Sequence, residues 1–266
     1  MSLAAIPSPP SPTLTVGPLM IHYYALFVVL GVAVAAVITA RRWAARGGQP
    51  GIVGDVLLVA VPVGLVGARL YHVATSWQLF FGAGAQPWRA VAVWEGGLAI
   101  HGGLIGGLLS GGLYVWSRGL PLLTYLDIVA PYLPLGQAIG RWGNFFNEEA
   151  FGGPTQLPWK LYISEARRPP QFLDAEYFHP TFLYESIWNL GIFLILGFVL
   201  RRRLERAPGA LFLAYLGLYA LGRFWVEGLR TDSLMLGQLR VAQVVSVLSV
   251  LLAIIGIPLL ARRRRA

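Results

Sequence analysis

Gly140-Arg141-Trp142-Gly143-Asn144-Phe145-Phe146-Asn147-Glu148-Glu149-Ala150-Phe151-Gly152-Gly153 is the stretch on which the reading of this chain turns. It follows the apolar run 130–139 and sets an arginine, two asparagines and two glutamates among aromatics and glycines. A helix facing lipid does not carry such residues, because each is expensive in hydrocarbon. A plain surface loop has no need of the glycines and aromatics beside them. The stretch therefore reads as the floor of a polar site at the edge of a membrane.

The surrounding composition agrees. The chain is 56% hydrophobic and only 12% charged, where soluble domains carry about 25% charged residues. Seven apolar runs are near the length of roughly 20 residues needed to cross hydrocarbon; they lie at about 19–40, 52–75, 96–116, 122–139, 180–200, 209–226 and 241–261. The expectation is an all-α polytopic membrane protein of about seven transmembrane helices. A small extracytoplasmic cap would lie between spans 4 and 5. The chain reads as one integral membrane domain over 1–266, with a loose outer tail at 1–18, an outer excursion at 76–95, a cap at 141–179 and a cytoplasmic tail at 262–266. Trp77, Trp88 and Trp94 of the excursion suit an interfacial aromatic belt.

The net charge of +9 is explained by topology rather than by nucleic acid. Arg41, Arg42 and Arg46 follow span 1, Arg118 follows span 3, Arg201, Arg202, Arg203 and Arg206 follow span 5, and Arg262 to Arg265 follow span 7. Alternating spans put these clusters on one side, so the amino terminus is expected outside and the carboxyl terminus in the cytoplasm. The first 40 residues lack Lys and Arg, so the first apolar run reads as a retained helix rather than a cleaved signal. With no cysteine, the chain has no thiolate metal site or cysteine nucleophile of its own. No metal cluster is visible in the sequence.

On this topology the unusual residues gather at one depth. They are Tyr24 (span 1), Arg69 and His72 (span 2), His101 (span 3), Arg141, Asn144 and Glu149 (after span 4), His179 (span 5), and Arg223, Glu227 and Arg230 (span 6). Arginine stays charged when buried and binds phosphate through a planar fork. The phosphate at that depth belongs to a lipid headgroup, and a histidine beside it can take a proton near neutral pH. In span 3, Gly103, Gly107 and Gly111 recur every four residues, as do Gly102 and Gly106. That pattern reads as a close-packing stripe. Gly152 is expected to permit a backbone turn.

These motifs resemble the prolipoprotein diacylglyceryl transferase family. Gly140-Arg141-x-Gly143-Asn144-Phe145-x-Asn147-x-Glu149-x-x-Gly152 is similar to its signature. His101-Gly102-Gly103-Leu104, His179-Pro180-x-x-Leu183-Tyr184-Glu185 and Gly222-Arg223-x-x-x-Glu227-x-x-Arg230 resemble its other motifs, and the stretch 21–31 with Tyr24 resembles its first helix. The resemblance implies transfer of the diacylglyceryl group of phosphatidylglycerol to the lipobox cysteine of a prolipoprotein signal peptide. A thioether forms and glycerol phosphate leaves, with no cofactor, in a monomer of the bacterial inner membrane. His101, Arg141 and Arg223 are the expected catalytic residues. Tyr24, Arg69, Asn144, Asn147, Glu149, Gly152, His179, Glu227 and Arg230 are the expected substrate-binding ones. The alternative reading is an anionic phospholipid transporter or flippase that uses the same arginines without breaking bonds.

Overall fold

The structure, a computed structural model, describes residues 5–262. The last four residues of the expected cytoplasmic tail, and most of its arginine run, lie outside the described residues. In chain order the helices are α1 (Tyr23–Ala44), α2 (Ile52–Thr75), α3 (Trp77–Phe81), α4 (Ile100–Ser117), α5 (Leu122–Val129), α6 (Tyr132–Asn147), α7 (Thr181–Leu194), α8 (Arg201–Leu204), α9 (Ala210–Leu229) and α10 (Val241–Arg262). A π-helical stretch, Ile195–Leu200, joins α7 to α8. Among the described residues, five helical segments are long and apolar enough to cross a membrane: α1, α2, Thr181–Leu204, α9 and α10. The α5–α6 pair, bent by 45°, makes a sixth if counted as one span. The bend falls at Ala130–Pro131, where proline has no N–H to carry the helix on. The chain is thus an all-α polytopic membrane protein. The third expected span is helical as α4 but is not among these segments; its glycines and His101 dilute its apolar character.

The chain divides into two compact units, Met1–Thr39 with Leu126–Ala266, and Ala40–Tyr125. In the smaller unit α2 and α4 pack backbone to backbone through facing glycines. A Cβ added at Gly102 would lie 2.1 Å from the Gly67 carbonyl oxygen, and one at Gly106 would lie 2.8 Å from that of Val63. The expected stripe is therefore a packing seam. Because the obstacle at Gly102 is backbone, the helices must part to admit a side chain. Gly102→Ala should cost about 1–3 kcal/mol, seen as a lower unfolding midpoint in detergent. At the far end of the seam the Tyr114 hydroxyl donates to Asp55 Oδ2 at 3.1 Å. The expected outer excursion holds α3 and two short 3₁₀ turns, and Trp77, Trp88 and Trp94 are exposed on it.

In the larger unit α1 crosses α6 at glycines, since Cβ atoms at Gly31 and Gly136 would each meet the other's carbonyl oxygen. Nearer the end of α6, Gly143 lies against Tyr24 and leaves no room for a Cβ. α9 begins at Gly209, in the left-handed region. Asp127 caps it, accepting from the Gly209 N–H at 2.7 Å and the Phe212 N–H at 2.9 Å. Ala130, Ile192, Leu196, Leu211 and Tyr215 form the core beneath.

Two loop segments differ from expectation. The tail at 1–18 is not loose over its described residues. β1 (Thr13–Val16) pairs antiparallel with β2 (Leu19–His22) around Gly17-Pro18, and the Ile6 N–H donates to the Lys160 carbonyl. Span 1 therefore starts later than expected, at Tyr23. The expected cap at 141–179 also starts late, because Arg141–Asn147 are the last turns of α6. The segment beyond has its own small core of Phe151, Leu161, Ile163 and Phe178 with Phe182, and a short antiparallel pair, β3 (Leu161–Tyr162) and β4 (Tyr177–Phe178).

Candidate functional site: a relay of arginines and carboxylates

Three helices of the larger unit bring their polar residues to the same end. α6 offers Arg141 and Asn144 in its last turns, α7 offers Glu185 in its first, and α9 offers Arg223 and Glu227 in its last. Their side chains form one continuous relay. Glu149 Oε1 accepts from Asn144 Nδ2 at 2.9 Å, and Asn144 Oδ1 accepts weakly from Arg141 Nη1 at 3.5 Å. Arg141 Nη2 lies 2.5 Å from Glu185 Oε2, and the other Glu185 oxygen lies 3.6 Å from Arg223 Nη1. Arg223 Nη2 lies 2.5 Å from Glu227 Oε2, one helical turn on.

Exposure is uneven along this relay. The Glu185 and Glu227 side chains are 6% and 2% exposed, while those of Arg141 and Arg223 are 21% and 22% exposed. Buried carboxylates thus hold two guanidinium side chains that keep about a fifth of their surface exposed. Charges removed from water in this way must be paired and hydrogen-bonded. Tyr24 lies over Gly143.

The turn after α6 is built by residues in unusual conformations. Glu148 and Ala150 have φ of 48° and 57°, in the left-handed region that side chains seldom adopt. The Glu148 carboxylate accepts from the Ser8 hydroxyl and from both the N–H and hydroxyl of Ser164, which ties the amino-terminal segment to this turn. Asn147 closes α6. Gly152 is required by close approach, not by the turn expected from sequence: a Cβ there would lie 2.8 Å from His179 Cβ and 3.0 Å from the Leu229 carbonyl oxygen. Backbone pairing of Gly152 and Gly153 with His179 fixes the segment ahead of α7.

Several expected roles change. His179 stands with Nδ1 3.3 Å from the Tyr184 hydroxyl, which also accepts from Trp159 Nε1 at 2.8 Å. Burial pushes the pKa of its imidazole down. Helical spacing places Arg230 on one face with Arg223 and Glu227, but the structure does not. α9 ends at Leu229, and Arg230 is extended, so its guanidinium takes Asp232 as its close partner, forking onto it at 2.9 and 2.6 Å, while Glu185 and Glu227 still act on its charge. Arg240 instead donates to the Glu227 and Arg230 carbonyls.

Arg69 and His101 belong to the smaller unit. Arg69 is 5% exposed and donates to the carbonyls of Arg89, Ala90, Gly96 and Gly97, with its guanidinium over the Phe80 ring. Nearly all its donors are turned to carbonyls of the excursion, which it clamps. His101 sits exposed in the first turn of α4, its ring centroid 5.7 Å from that of Tyr71.

Glu185 is the site residue that sequence reasoning misses. The available signal is a carboxylate within an apolar helix, which must find a partner.

The prolipoprotein diacylglyceryl transferase family model matches residues 12–259. The chain is 47% identical over 248 residues to a phosphatidylglycerol–prolipoprotein diacylglyceryl transferase of Gloeobacter violaceus, covering 93% of this chain and 91% of the relative. One from Nostoc sp. is 46% identical over 274 aligned residues, covering 100% and 94%. A second form from Streptomyces coelicolor is 47% identical over 232 residues, covering 87% and 73%. The transporter reading finds no support among these relatives. With the family model spanning almost the whole chain and the relay built from the residues of its motifs, the chain belongs to the prolipoprotein diacylglyceryl transferase family.

Proposed function

We propose that this protein transfers the diacylglyceryl group of phosphatidylglycerol to the lipobox cysteine thiol of prolipoproteins, and that Arg141 and Arg223 hold the lipid phosphate. The observation that carries this reading is the pair of mostly buried arginines, bridged by Glu185 and with Glu227 against Arg223, at one end of three helices. The substrate sulfur attacks the glycerol carbon that bears the phosphate oxygen. The carbon–sulfur bond forms as the carbon–oxygen bond breaks, and the electron pair leaves on glycerol phosphate. Charge grows on the phosphate through this step, and fixed guanidinium donors stabilise it more than they stabilise the ground state. Asn144, held by Glu149, and Tyr24 line the same end and contact the headgroup. Asn147, at the end of α6, and Gly152, in close approach to His179 and Leu229, hold the segment that carries them.

His101 is proposed as the base that takes the thiol proton. A free thiol has a pKa of about 8.5, so modest help suffices. The rate should fall on acidification, and His101→Gln should flatten that limb. An unchanged rate and pH profile would remove His101 from the chemistry.

The protein is proposed to act as a monomer and as one integral domain of the inner membrane. The basic ends of α1 and α7–α8 would face the cytoplasm, and the relay the outer leaflet. A direct test supplies purified protein with a lipobox peptide and either phosphatidylglycerol or phosphatidylethanolamine. Thioether peptide and glycerol phosphate should appear in equal amounts from phosphatidylglycerol. Phosphatidylethanolamine should be a poor donor, because its ammonium group meets guanidiniums. Equal turnover of both lipids, or headgroup movement without thioether, would refute the reading.

A further inference from the structure

The charges of the relay cancel at its centre: the guanidiniums of Arg141 and Arg223 face the carboxylates of Glu185 and Glu227. That balance is unexpected for a site whose task is only to bind an anion. It becomes useful when the charges of substrate and product are compared. A phosphodiester such as phosphatidylglycerol carries one negative charge. The glycerol phosphate that leaves is a monoester, and such groups carry about 1.5 to 2 negative charges near neutral pH. Two guanidiniums without counter-charge would hold the product more tightly than the substrate, and the enzyme would be trapped by what it releases.

We propose that Glu185 is a fixed counter-charge that lowers the affinity of the Arg141–Arg223 pair for the product more than for the substrate, and so promotes release. This deepens, and rests on, the assignment of that pair to the lipid phosphate. Glu185 is the carboxylate placed for the task, because it alone in the relay faces both guanidiniums, one through each oxygen. Glu227 makes its ion pair with Arg223, one of the two guanidiniums, and Glu149 reaches the relay through Asn144; Arg230, on which both buried carboxylates act, has its own close partner in Asp232. Glu185 is 5% exposed, so it cannot swing into water when a ligand arrives. Its charge is therefore felt by whatever occupies the open side of the guanidiniums. Repulsion scales with ligand charge, so a dianion feels about twice the energy that a monoanion feels.

The test is Glu185→Gln, which removes the charge but keeps an oxygen for Arg141. Dissociation constants for phosphatidylglycerol and for glycerol phosphate are measured beside turnover. Both should tighten, with the fold-change for glycerol phosphate near the square of that for the lipid. Turnover should fall, with a pre-steady-state burst of thioether as release becomes limiting. Glycerol phosphate should tighten at least roughly tenfold, equivalent to 1.4 kcal/mol. A residue that merely holds its neighbours would behave differently: both ligands would weaken together and no burst would appear, and that result overturns the proposal. Glu185→Asp keeps the charge at a greater distance and should tighten glycerol phosphate by a smaller factor. It serves as the readout if the glutamine variant does not fold, and weakening of glycerol phosphate in Glu185→Asp would equally overturn the proposal. Arg223→Lys separates the two levels of the argument. If it changes neither ligand's affinity nor turnover, the phosphate assignment itself fails; if it lowers them while Glu185→Gln leaves glycerol phosphate unchanged, only the release role fails.

Discussion

Arg223→Lys is expected to lose roughly 100- to 1000-fold in turnover, the range seen when one fixed donor to a developing oxyanion is removed. The geometry explains why the charge alone does not suffice. Arg223 is held at both ends of its fork, Nη2 2.5 Å from Glu227 and Nη1 3.6 Å from Glu185. That arrangement fixes the plane of the guanidinium and so the direction of the N–H groups left over. Lysine keeps the positive charge on a shorter, point-like ammonium without a plane to fix. It can satisfy Glu227 or reach toward a phosphate, but not do both in fixed geometry. Turnover should be measured at matched folded amounts, with phosphatidylglycerol binding measured separately. A fully active lysine variant would show that charge suffices and would withdraw the bidentate role. Arg230→Lys is the internal comparison and should be mild, because Arg230 pairs with the exposed Asp232.

Glu227→Ala is expected to be nearly as damaging, although it makes the site more positive. Simple attraction would predict a gain. Glu227 is 2% exposed and is the close partner of Arg223, while its own carbonyl is held by Arg240. Alanine removes both the charge and the acceptor, which leaves Arg223 half-buried with one looser partner. Breaking a buried pair from one side costs about 3–5 kcal/mol, divided here between stability and aim. Activity per folded molecule should fall by about 100-fold, with the unfolding midpoint lowered as well. Retention of full activity by the folded fraction would mean that Glu227 only neutralises charge. Glu185→Gln differs because an acceptor oxygen remains where Glu185 stood.

Much of this arrangement is legible in the sequence. α2 spans the residues that hydropathy marks, Ile52–Thr75, and the glycines spaced by four are the seam between α2 and α4. Arg141, Asn144, Arg223 and Glu227 are legible because polar groups in apolar helices are costly and few. What sequence does not show is pairing across helices. Arg141 could meet Glu149, Glu227 or Glu185, and only the packing of α6 on α7 selects Glu185. Helical spacing puts Arg230 on the face of Glu227, but the helix stops one residue earlier, and extended backbone gives its guanidinium Asp232 as close partner. Arg69 looks like a free cation in sequence because carbonyls, the groups that occupy it, carry no sequence signal. Gly140 and Gly143 suggest a loop, yet both lie in α6, and Gly143 is needed where Tyr24 presses on the helix. The amino-terminal hairpin has a readable signal in Gly17-Pro18 between the short strands Thr13–Val16 and Leu19–His22, with Gly17 at φ 59°.

The central claim is that Arg141 and Arg223 grip the phosphate that becomes the leaving group. It is tested most directly by nitrogen–phosphorus dipolar NMR on protein carrying ¹⁵N-labelled arginine in phosphatidylglycerol bilayers. The account predicts guanidinium nitrogens within about 4 Å of phosphorus, the reach of a direct hydrogen bond. Part of that signal should disappear in Arg141→Lys and the remainder in Arg223→Lys. Lipid that turns over while neither substitution, nor both together, removes any of the arginine–phosphorus signal would contradict it.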